Sequence, residues 1–196
     1  MSFITRGFTG AGRERDPRLP PGQTLVADWP VLSAGPTPEV STEEWTFSVR
    51  TETGLTTWTW DELLALGVED VTVDIHCVTH WTKLDMRWRG VSLDAVFENL
   101  ETSADYVMVH SHGGYTTNLA LEDLLDGQAW IATEAEGAPL EPEHGGPARL
   151  LVPALYFWKS AKWVRGLVMM DADEPGFWEQ NGYHMHGDPW TEERYW

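Results

Sequence analysis

The sequence predicts a mixed α+β domain in which β-rich sheets carry short helices. With 196 residues the chain can bury one good core, so a single domain is expected. Segments with strand-like patterns outnumber segments with helix caps, and the capped helices are short. Residues 1–40 are rich in Pro, Gly and Arg and lack periodicity. We therefore expect an extended, partly irregular N-terminal arm, followed by one domain over residues 41–196.

Five strands are expected from apolar and polar alternation or from β-branched runs. In chain order they cover residues 45–50, 71–77, 106–110, 149–152 and 163–170. The first, Trp-Thr-Phe-Ser-Val-Arg, alternates as a half-buried strand does. The second ends at the single cysteine of the chain, and a polar, tryptophan-rich loop is expected to follow it.

Three short helices are expected from capping and stop signals. Thr59 and Glu62 form a capping-box pair, which starts a helix that Gly67 ends. A second helix covers about residues 92–100, with a serine at its N-cap. The third is expected at residues 119–125, where an Asp-Gly pair follows it.

Composition restricts the partners of the protein. The chain has 31 acidic and 13 basic residues, a formal net charge of −18. This argues against duplex nucleic acid or an anionic membrane surface as the main partner, because binding such phosphates needs a broad basic patch. No apolar run approaches the ~20 residues that span a bilayer. Residues 1–21 lack a signal-type apolar segment and paired arginines, so we expect a cytoplasmic protein.

The single cysteine, Cys77, is placed where a thiolate can meet a bound metal. The alternative is a small buried hydrophobe, which is what most free cysteines are. One cysteine excludes an internal disulfide, a self-contained iron–sulfur cluster and a cysteine-rich zinc site. The chain therefore shows no electron relay of its own.

A basic stretch stands out in this acidic chain. Residues 149–170 contain Arg149, Lys159, Lys162 and Arg165 and no Asp or Glu. Such an island predicts a site for a phosphate or a similar anion, held by point charges and backbone N–H groups. The alternative is a basic edge strand that discourages aggregation.

Three separated segments carry motifs in a characteristic order. They are the run around Cys77, the pair His-Gly-Gly-Pro-Ala-Arg and Trp-Lys-Ser-Ala-Lys-Trp within residues 143–164, and the tail Gly-Tyr-His-Met-His-Gly-Asp within residues 176–195. Together they resemble the sulfite oxidase family of molybdopterin-dependent oxidoreductases, from about residue 18 to the end. The resemblance implies a sulfite oxidase-like molybdopterin-binding fold with Mo-molybdopterin as cofactor.

The resemblance also implies roles for individual residues. Cys77 matches the family's molybdenum ligand, and a thiolate beside a pterin dithiolene suits a metal that exchanges an oxo group with substrate. The remaining matches are cofactor contacts, several of them around the terminal phosphate. They are Ser111, His144, Arg149, Ser160, Ala161 and Lys162.

The residues after the cysteine bear on the substrate. Sulfite oxidases have an Ala-Gly-Asn-Arg-Arg type sequence there, whose arginine helps to hold sulfite, whereas this chain has Val-Thr-His-Trp-Thr. Trp81 instead resembles bacterial catalytic subunits that reduce methionine sulfoxide and related oxides. We therefore expect two-electron oxo transfer on a small-molecule or protein-bound S- or N-oxide, with a separate electron-transfer partner.

Two alternatives stay open at this point. In a sulfite-oxidising enzyme of the same family, Arg87 or Arg89 would turn in to replace the missing arginine. In a non-redox module, Cys77 and nearby histidines would hold zinc or copper. His110 and His112 precede a Gly-Gly turn and either face the site or lie in a surface loop.

Overall fold

Two β-sheets form most of the computed structural model, which describes residues 16–196. This part of the chain has eleven strands and three short α-helices. The strands are β1 (Thr24–Leu25), β2 (Thr46–Thr51), β3 (Gly54–Thr59), β4 (Val68–His76), β5 (Trp81–Ser92), β6 (Tyr106–Ser111), β7 (Thr116–Ala120), β8 (Trp130–Ala135), β9 (Ala138–Pro139), β10 (Arg149–Leu151) and β11 (Val164–Met170). The helices are α1 (Trp60–Ala65), α2 (Leu93–Phe97) and α3 (Phe177–Gln180). The β-rich class with short helices is confirmed.

The first sheet has the order β1-β5-β8-β10, with β4 also beside β5 and β9 beside β8. β1 runs parallel to β5, and the other pairs are antiparallel. The register of β5 against β8 shifts at Gly90, where the strands come very close. A Cβ atom at Gly90 would lie 2.4 Å from the carbonyl oxygen of Ile131, so a larger residue cannot be accommodated without backbone movement.

The second sheet has the order β3-β2-β11-β6-β7, and only the β2–β11 pair is parallel within the described residues. Its inward side chains, such as Phe47 and Val109, belong to the same buried cluster as Val91, Ile131 and Leu150 of the first sheet. The larger hydrophobic core therefore joins the two sheets. Within this described part, none of the helices has the length and apolar character needed to cross a bilayer.

The prediction of a polar, tryptophan-rich loop after Cys77 is wrong. After a short turn the chain enters β5, which is twelve residues long and pairs with β4. Its side chains alternate, so that Met86 and Trp88 are buried while Arg87 and Arg89 are exposed. The polar residues that suggested a loop form the solvent-facing side of a strand.

The helix expected at residues 119–125 is also wrong. Leu119 belongs to β7, where it pairs with Val107 of β6, and only a single 3₁₀ turn follows at Leu121–Asp123. Pairing between β7 and β6 therefore prevails over the helix that the Asp-Gly stop signal suggested. The capping box of Thr59 and Glu62 is present, and the helix after Ser92 ends at Phe97 rather than near residue 100.

Part of the expected N-terminal arm belongs to the first sheet. The amide of Thr24 donates to the carbonyl of His80 over 2.9 Å, and the amide of Val26 donates to that of Thr82 over 2.9 Å. Most of the remaining residues between 16 and 40 have no regular secondary structure. The first fifteen residues of the expected arm lie outside the described residues.

Candidate active site

A cavity of about 450 Å³ lies where the β4–β5 turn, the β6–β7 turn and the segment between β10 and β11 meet. Its lining includes six of the seven side chains expected from the sequence to form the site. They are Cys77, His144, Arg149, Ser160, Ala161 and Lys162. The seventh, Ser111, is buried just behind the lining, which its chain neighbour His112 joins.

The β4–β5 turn places Cys77. The amide of Cys77 donates to the carbonyl of Trp81 over 2.8 Å, and the amide of His80 donates back to the carbonyl of Cys77 over 3.1 Å. The side chain of Gln23, from the arm, donates to the same carbonyl over 3.0 Å. Three bonds thus hold the backbone of the cysteine in place, so its side chain is presented by a rigid turn.

Cys77 is 6 % exposed, and its Sγ atom lies 3.1 Å from Thr79 Oγ1. Burial raises the pKa of this thiol, and the hydrogen bond with Thr79 offsets part of the rise. The group is therefore a protonated thiol at neutral pH in the chain alone. Binding a metal cation would release that proton and leave a thiolate ligand.

Arg149 is a buried cation at the start of β10, only 1 % exposed. Its guanidinium donates to the carbonyl of His144 over 2.8 Å and to that of Ser160 over 2.6 Å. Its Nε atom has no hydrogen-bond partner among the described residues. Burial lowers the pKa of Arg149 to about 9, and the group stays cationic at neutral pH.

Lys162 is the second cation of the cavity. Its Nζ donates to the carbonyls of Leu32 and Glu143, over 2.7 and 2.6 Å. Burial, and then the charge of Arg149, lower the pKa of Lys162 to about 8. Within residues 16–196, no ion pair joins Arg149 or Lys162 to an Asp or Glu side chain. Two neighbouring cations thus face the cavity with only neutral carbonyl partners.

The other two residues of the Ser-Ala-Lys run support the strand beneath them. The Ser160 hydroxyl accepts a bond from the amide of Val152 over 2.9 Å, and the carbonyl of Ala161 accepts one from the amide of Leu150 over 2.8 Å. These bonds attach the run to β10, so that Lys162 and Arg149 are held on one rigid unit. The Ser160 hydroxyl keeps its own proton for a further acceptor.

The imidazole of His144 stacks on the indole of Trp29, with ring centroids 3.8 Å apart and planes 9° from parallel. Burial, and then the charges of Arg149 and Lys162, lower the pKa of His144. The ring is therefore neutral at pH 7 and has both a donor and an acceptor nitrogen for a polar ligand. The sequence did not predict that Trp29 lines the cavity, because the arm that carries it lacks any regular pattern.

Aromatic side chains line the cavity near Cys77. Tyr183 stacks on Trp178 with centroids 4.9 Å apart and meets Trp158 edge-on at 5.0 Å. Burial raises the pKa of Tyr183, and the nearby Cys77 adds to the rise. Trp81 lies in the same lining. Trp178 and Tyr183 were not singled out from the sequence, although the tail that carries them was.

The structure separates the four cations of the basic stretch. Arg149 and Lys162 line the cavity, whereas Lys159 turns away and forms an ion pair of 2.8 Å with Glu179, both side chains being fully buried. Arg165 is exposed. A stretch without Asp or Glu in the sequence therefore still meets an acidic side chain in the fold, and two of its four cations line the cavity.

The histidines take different roles. His112 lines the cavity, and its Nε2 is buried without a hydrogen-bond partner among the described residues. His76 bonds to the Thr82 hydroxyl over 2.9 Å inside the first sheet. In the tail, His186 bonds to Glu193 over 2.8 Å. Within residues 16–196, no group of three or more His, Cys, Asp and Glu side chains is arranged to hold a metal ion.

The lining fits a ligand with a soft metal at one part and an anion at another. Cys77 supplies a sulfur donor beside an aromatic wall, and Arg149 and Lys162 supply positive charge that no acidic side chain of residues 16–196 pairs with. Four buried polar atoms in or beside the cavity lining still lack partners among the described residues: Trp81 Nε1, Ser111 Oγ, His112 Nε2 and Arg149 Nε. Native proteins leave few such atoms unpaired, so they point to a polar ligand.

Comparison with known proteins agrees with this chemistry. The family model described as oxidoreductase molybdopterin binding domain matches residues 34–178. The uncharacterized oxidoreductase YuiH of Bacillus subtilis (strain 168) is 41 % identical over 201 residues, which cover 96 % of this chain and 98 % of that protein. The putative protein-methionine-sulfoxide reductase subunit YedZ1 of Azospira oryzae is 27 % identical over 66 % of this chain and 50 % of its own length.

The fold is similar to that of a solved structure. The crystal structure of the sulfane dehydrogenase SoxCD from Paracoccus pantotrophus superimposes with a TM-score of 0.63, over 74 % of this chain and 42 % of that one. The sequence identity is 20 %, so this likeness concerns the fold. This chain spans nearly the whole length of the Bacillus relative but half or less of the other two proteins.

Proposed function

The chain belongs to the oxidoreductase molybdopterin binding domain family, and on that basis we propose that it reduces neutral S- or N-oxides at a metal held by Cys77. It is a molybdopterin-dependent oxidoreductase. The observation that carries the proposal is that one cavity holds both the Cys77 thiol and two cations, Arg149 and Lys162, that form no ion pair with an acidic side chain of the described residues.

Each part of the cavity has a role in this proposal. Arg149 and Lys162 neutralise the terminal phosphate of the cofactor, and the Ser160 hydroxyl and the Ala161 backbone keep both cations in position. The neutral ring of His144 and the buried Ser111 hydroxyl supply polar contacts to the pterin. When bound, Mo-molybdopterin would supply two-electron oxygen-atom transfer. Cys77 contributes the protein's thiolate to that metal.

The surroundings of Cys77 favour a neutral substrate. Arg87 forms an ion pair of 3.3 Å with Glu136, and Arg89 one of 2.9 Å with Asp70, both on the exposed side of β5. Neither turns toward the cavity to bind a sulfite dianion. An aromatic wall suits a thioether or its oxide better than an anion. The printed name of the Azospira relative, a putative methionine-sulfoxide reductase subunit, points the same way.

The proposed reaction consumes electrons and protons. Reduction of a sulfoxide takes two electrons and two protons and gives a thioether and one water. The one cysteine of the chain is too few for an iron–sulfur cluster, and we propose that a separate partner supplies the electrons one at a time. We also propose that the enzyme works in the cytoplasm. Cell fractionation tests that location, and recovery of the protein outside the cytoplasmic fraction would contradict it.

Metal and pterin analysis of the purified protein tests the proposal. From a host that makes the cofactor, we expect near-stoichiometric molybdenum together with a fluorescent pterin released by oxidative denaturation. The loaded protein should then reduce neutral sulfoxides or N-oxides with a chemical electron donor faster than it oxidises sulfite. Zinc or copper without pterin would point instead to a non-redox metal-binding module, and a preference for sulfite would overturn the substrate class.

A further inference from the structure

A short segment of the N-terminal arm lies across the cation side of the cavity. We call residues 29–36 the strap. Apart from Val31, every residue of the strap lines the cavity. Five of its eight residues precede the part of the chain that the family model matches, which starts at residue 34. Most of the strap therefore lies outside the range that the family model matches, although the strap lines the same cavity.

The strap contacts each of the three polar side chains around the expected anion. Trp29 stacks on His144 at 3.8 Å, and the guanidinium carbon of Arg149 lies 5.6 Å from the centroid of its indole. The carbonyl of Leu32 accepts the 2.7 Å bond from Lys162. Stacking and cation–π contacts of this kind fix side-chain orientation as well as adding attraction.

The strap does not neutralise the cations that it covers. Its sequence, Trp-Pro-Val-Leu-Ser-Ala-Gly-Pro, carries no charged side chain. Its contacts with Arg149 and Lys162 are an aromatic face and a carbonyl oxygen, so their positive charge stays available. The strap thus shapes an anion site without occupying it.

Few interactions with the rest of residues 16–196 hold the strap in place. Residues 30–36 are exposed, with Val31 at 50 % and Leu32 at 48 %. One hydrogen bond lies within the strap, from the Ser33 hydroxyl to the carbonyl of Gly35 over 2.9 Å. The contacts at Trp29 and Leu32 are its main anchors to the cavity. A segment with few buried contacts opens at low free-energy cost, so these anchors decide how often it opens.

We infer that the strap closes over the anionic end of the bound cofactor, with Trp29 as a positioning residue that holds His144 and Arg149 and slows cofactor release. This inference rests on the proposed function. The strap opens to admit the cofactor and closes when Trp29 stacks and Leu32 accepts from Lys162. Retention of the cofactor, rather than the oxo-transfer chemistry, is what the strap controls.

Release kinetics test the role of Trp29. Loaded protein is diluted and filtered at intervals, and the molybdenum and pterin remaining with it are measured. We expect Trp29→Ala to lose both about ten-fold faster than the wild type, from the loss of one stacking and one cation–π contact. Trp29→Phe keeps a ring face and should restore part of the retention. Trp58→Ala, a half-buried tryptophan of the second sheet, is the matched control and should release at the wild-type rate.

Equal release from Trp29→Ala and the wild type would overturn the inference, and so would an equal acceleration in Trp58→Ala. Hydrogen exchange of the wild type gives a second readout that needs no variant. Amides of residues 31–35 should exchange more slowly when the cofactor is bound, and unchanged exchange would contradict the closure. A wild type that holds neither molybdenum nor pterin would overturn the proposed function as well, whereas equal release from loaded proteins would overturn the strap alone.

Discussion

The two cavity cations, Arg149 and Lys162, are held at a cost to the empty protein. Each is removed from water, each repels the other, and neither has an acidic partner within the described residues. A bound anion would offset both effects, so these cations would raise the affinity for an anion while lowering the stability of the empty chain. A neutral side chain at either position is therefore expected to give a more stable empty protein.

Replacing the less buried cation tests this exchange. Lys162→Met should leave the empty protein as stable as the wild type at pH 7, or more stable by up to about 1 kcal/mol, because the side chain is partly exposed. Molybdenum and pterin content should fall. Lys83→Met, on β5, is the control and should keep full cofactor content. A Lys162→Met protein that holds the cofactor as the wild type does would contradict the assignment.

The same lysine predicts a pH effect. Its pKa is lowered from 10.5 to about 8 in the folded chain. Between these values the unfolded chain binds the extra proton, so the stability of the empty protein should rise as pH increases through this window. Thermal unfolding at pH 7 and pH 9.5 measures the rise, which Lys162→Met should lose and Lys83→Met should keep.

Cys77→Ser separates metal ligation from folding. Serine is close to cysteine in size and finds Thr79 Oγ1 beside it, so we expect the free energy of unfolding to fall by no more than about 2 kcal/mol. Activity should fall at least about 100-fold, because the metal loses its protein ligand. Pterin should be retained in part through Arg149 and Lys162. Full activity in this variant would rule out Cys77 as the ligand.

At the scale of elements, β5 organises the site. It pairs with β4 to form the turn that carries Cys77, and it accepts β1 of the arm beside Trp81. Its polar face, with Arg87 and Arg89 outward, is what made it resemble a loop in the sequence. The alternation of apolar and polar residues in β5 is short and interrupted, so its periodic signal in the sequence is weak. Its pairing with β4 and β8 is what identifies it as a strand.

Gly90→Ala probes how tightly β5 is seated. The added Cβ would lie 2.4 Å from the carbonyl oxygen of Ile131 in β8, so the strands must separate. We expect a loss of about 1–3 kcal/mol in the free energy of unfolding, measured by urea denaturation. Gly54→Ala, where the added atom meets nothing within 4 Å, is the control and should stay within about 0.5 kcal/mol of the wild type.

At the scale of the whole molecule, a buried ion pair connects three parts of the chain. Lys159, which follows β10, pairs with Glu179 of α3 over 2.8 Å and donates to the Asn118 side chain of β7 over 2.9 Å. Glu179 also accepts from Trp158 Nε1, which lies in the cavity wall. The pair therefore fixes the aromatic wall against the second sheet. Nothing in the local sequence indicates it.

Breaking this pair should lower the free energy of unfolding substantially. Glu179→Gln leaves the buried Lys159 without its ion-pair partner, which costs about 3–5 kcal/mol. The double variant with Lys159→Met should recover part of that loss. Arg89→Ala, which breaks an exposed pair with Asp70, should change stability by no more than about 1 kcal/mol. Chemical denaturation measures all three, and a Glu179→Gln effect as small as that of Arg89→Ala would contradict a structural role for the buried pair.

The candidate site residues were easier to identify from the sequence than the segment that covers them. Cys77 stands out as the only cysteine of the chain. Arg149 and Lys162 stand out because they lie in a stretch without Asp or Glu in an otherwise acidic sequence. The contact between Trp29 and His144 joins residues that are far apart in the chain, and no local sequence pattern predicts it. The same holds for Lys159, whose partner lies in another element. Periodicity and capping report local structure, whereas pairing across the chain needs the fold.

The proposed role of Arg149 and Lys162 also affects how the protein should be handled. Two cations that bind the cofactor's phosphate would also attract other small tetrahedral anions, so phosphate or sulfate in a purification buffer would compete with the cofactor. Cofactor occupancy after reconstitution will then depend on the buffer anion and its concentration as well as on the chain. Reconstitution in a zwitterionic buffer of low ionic strength is expected to give the higher occupancy.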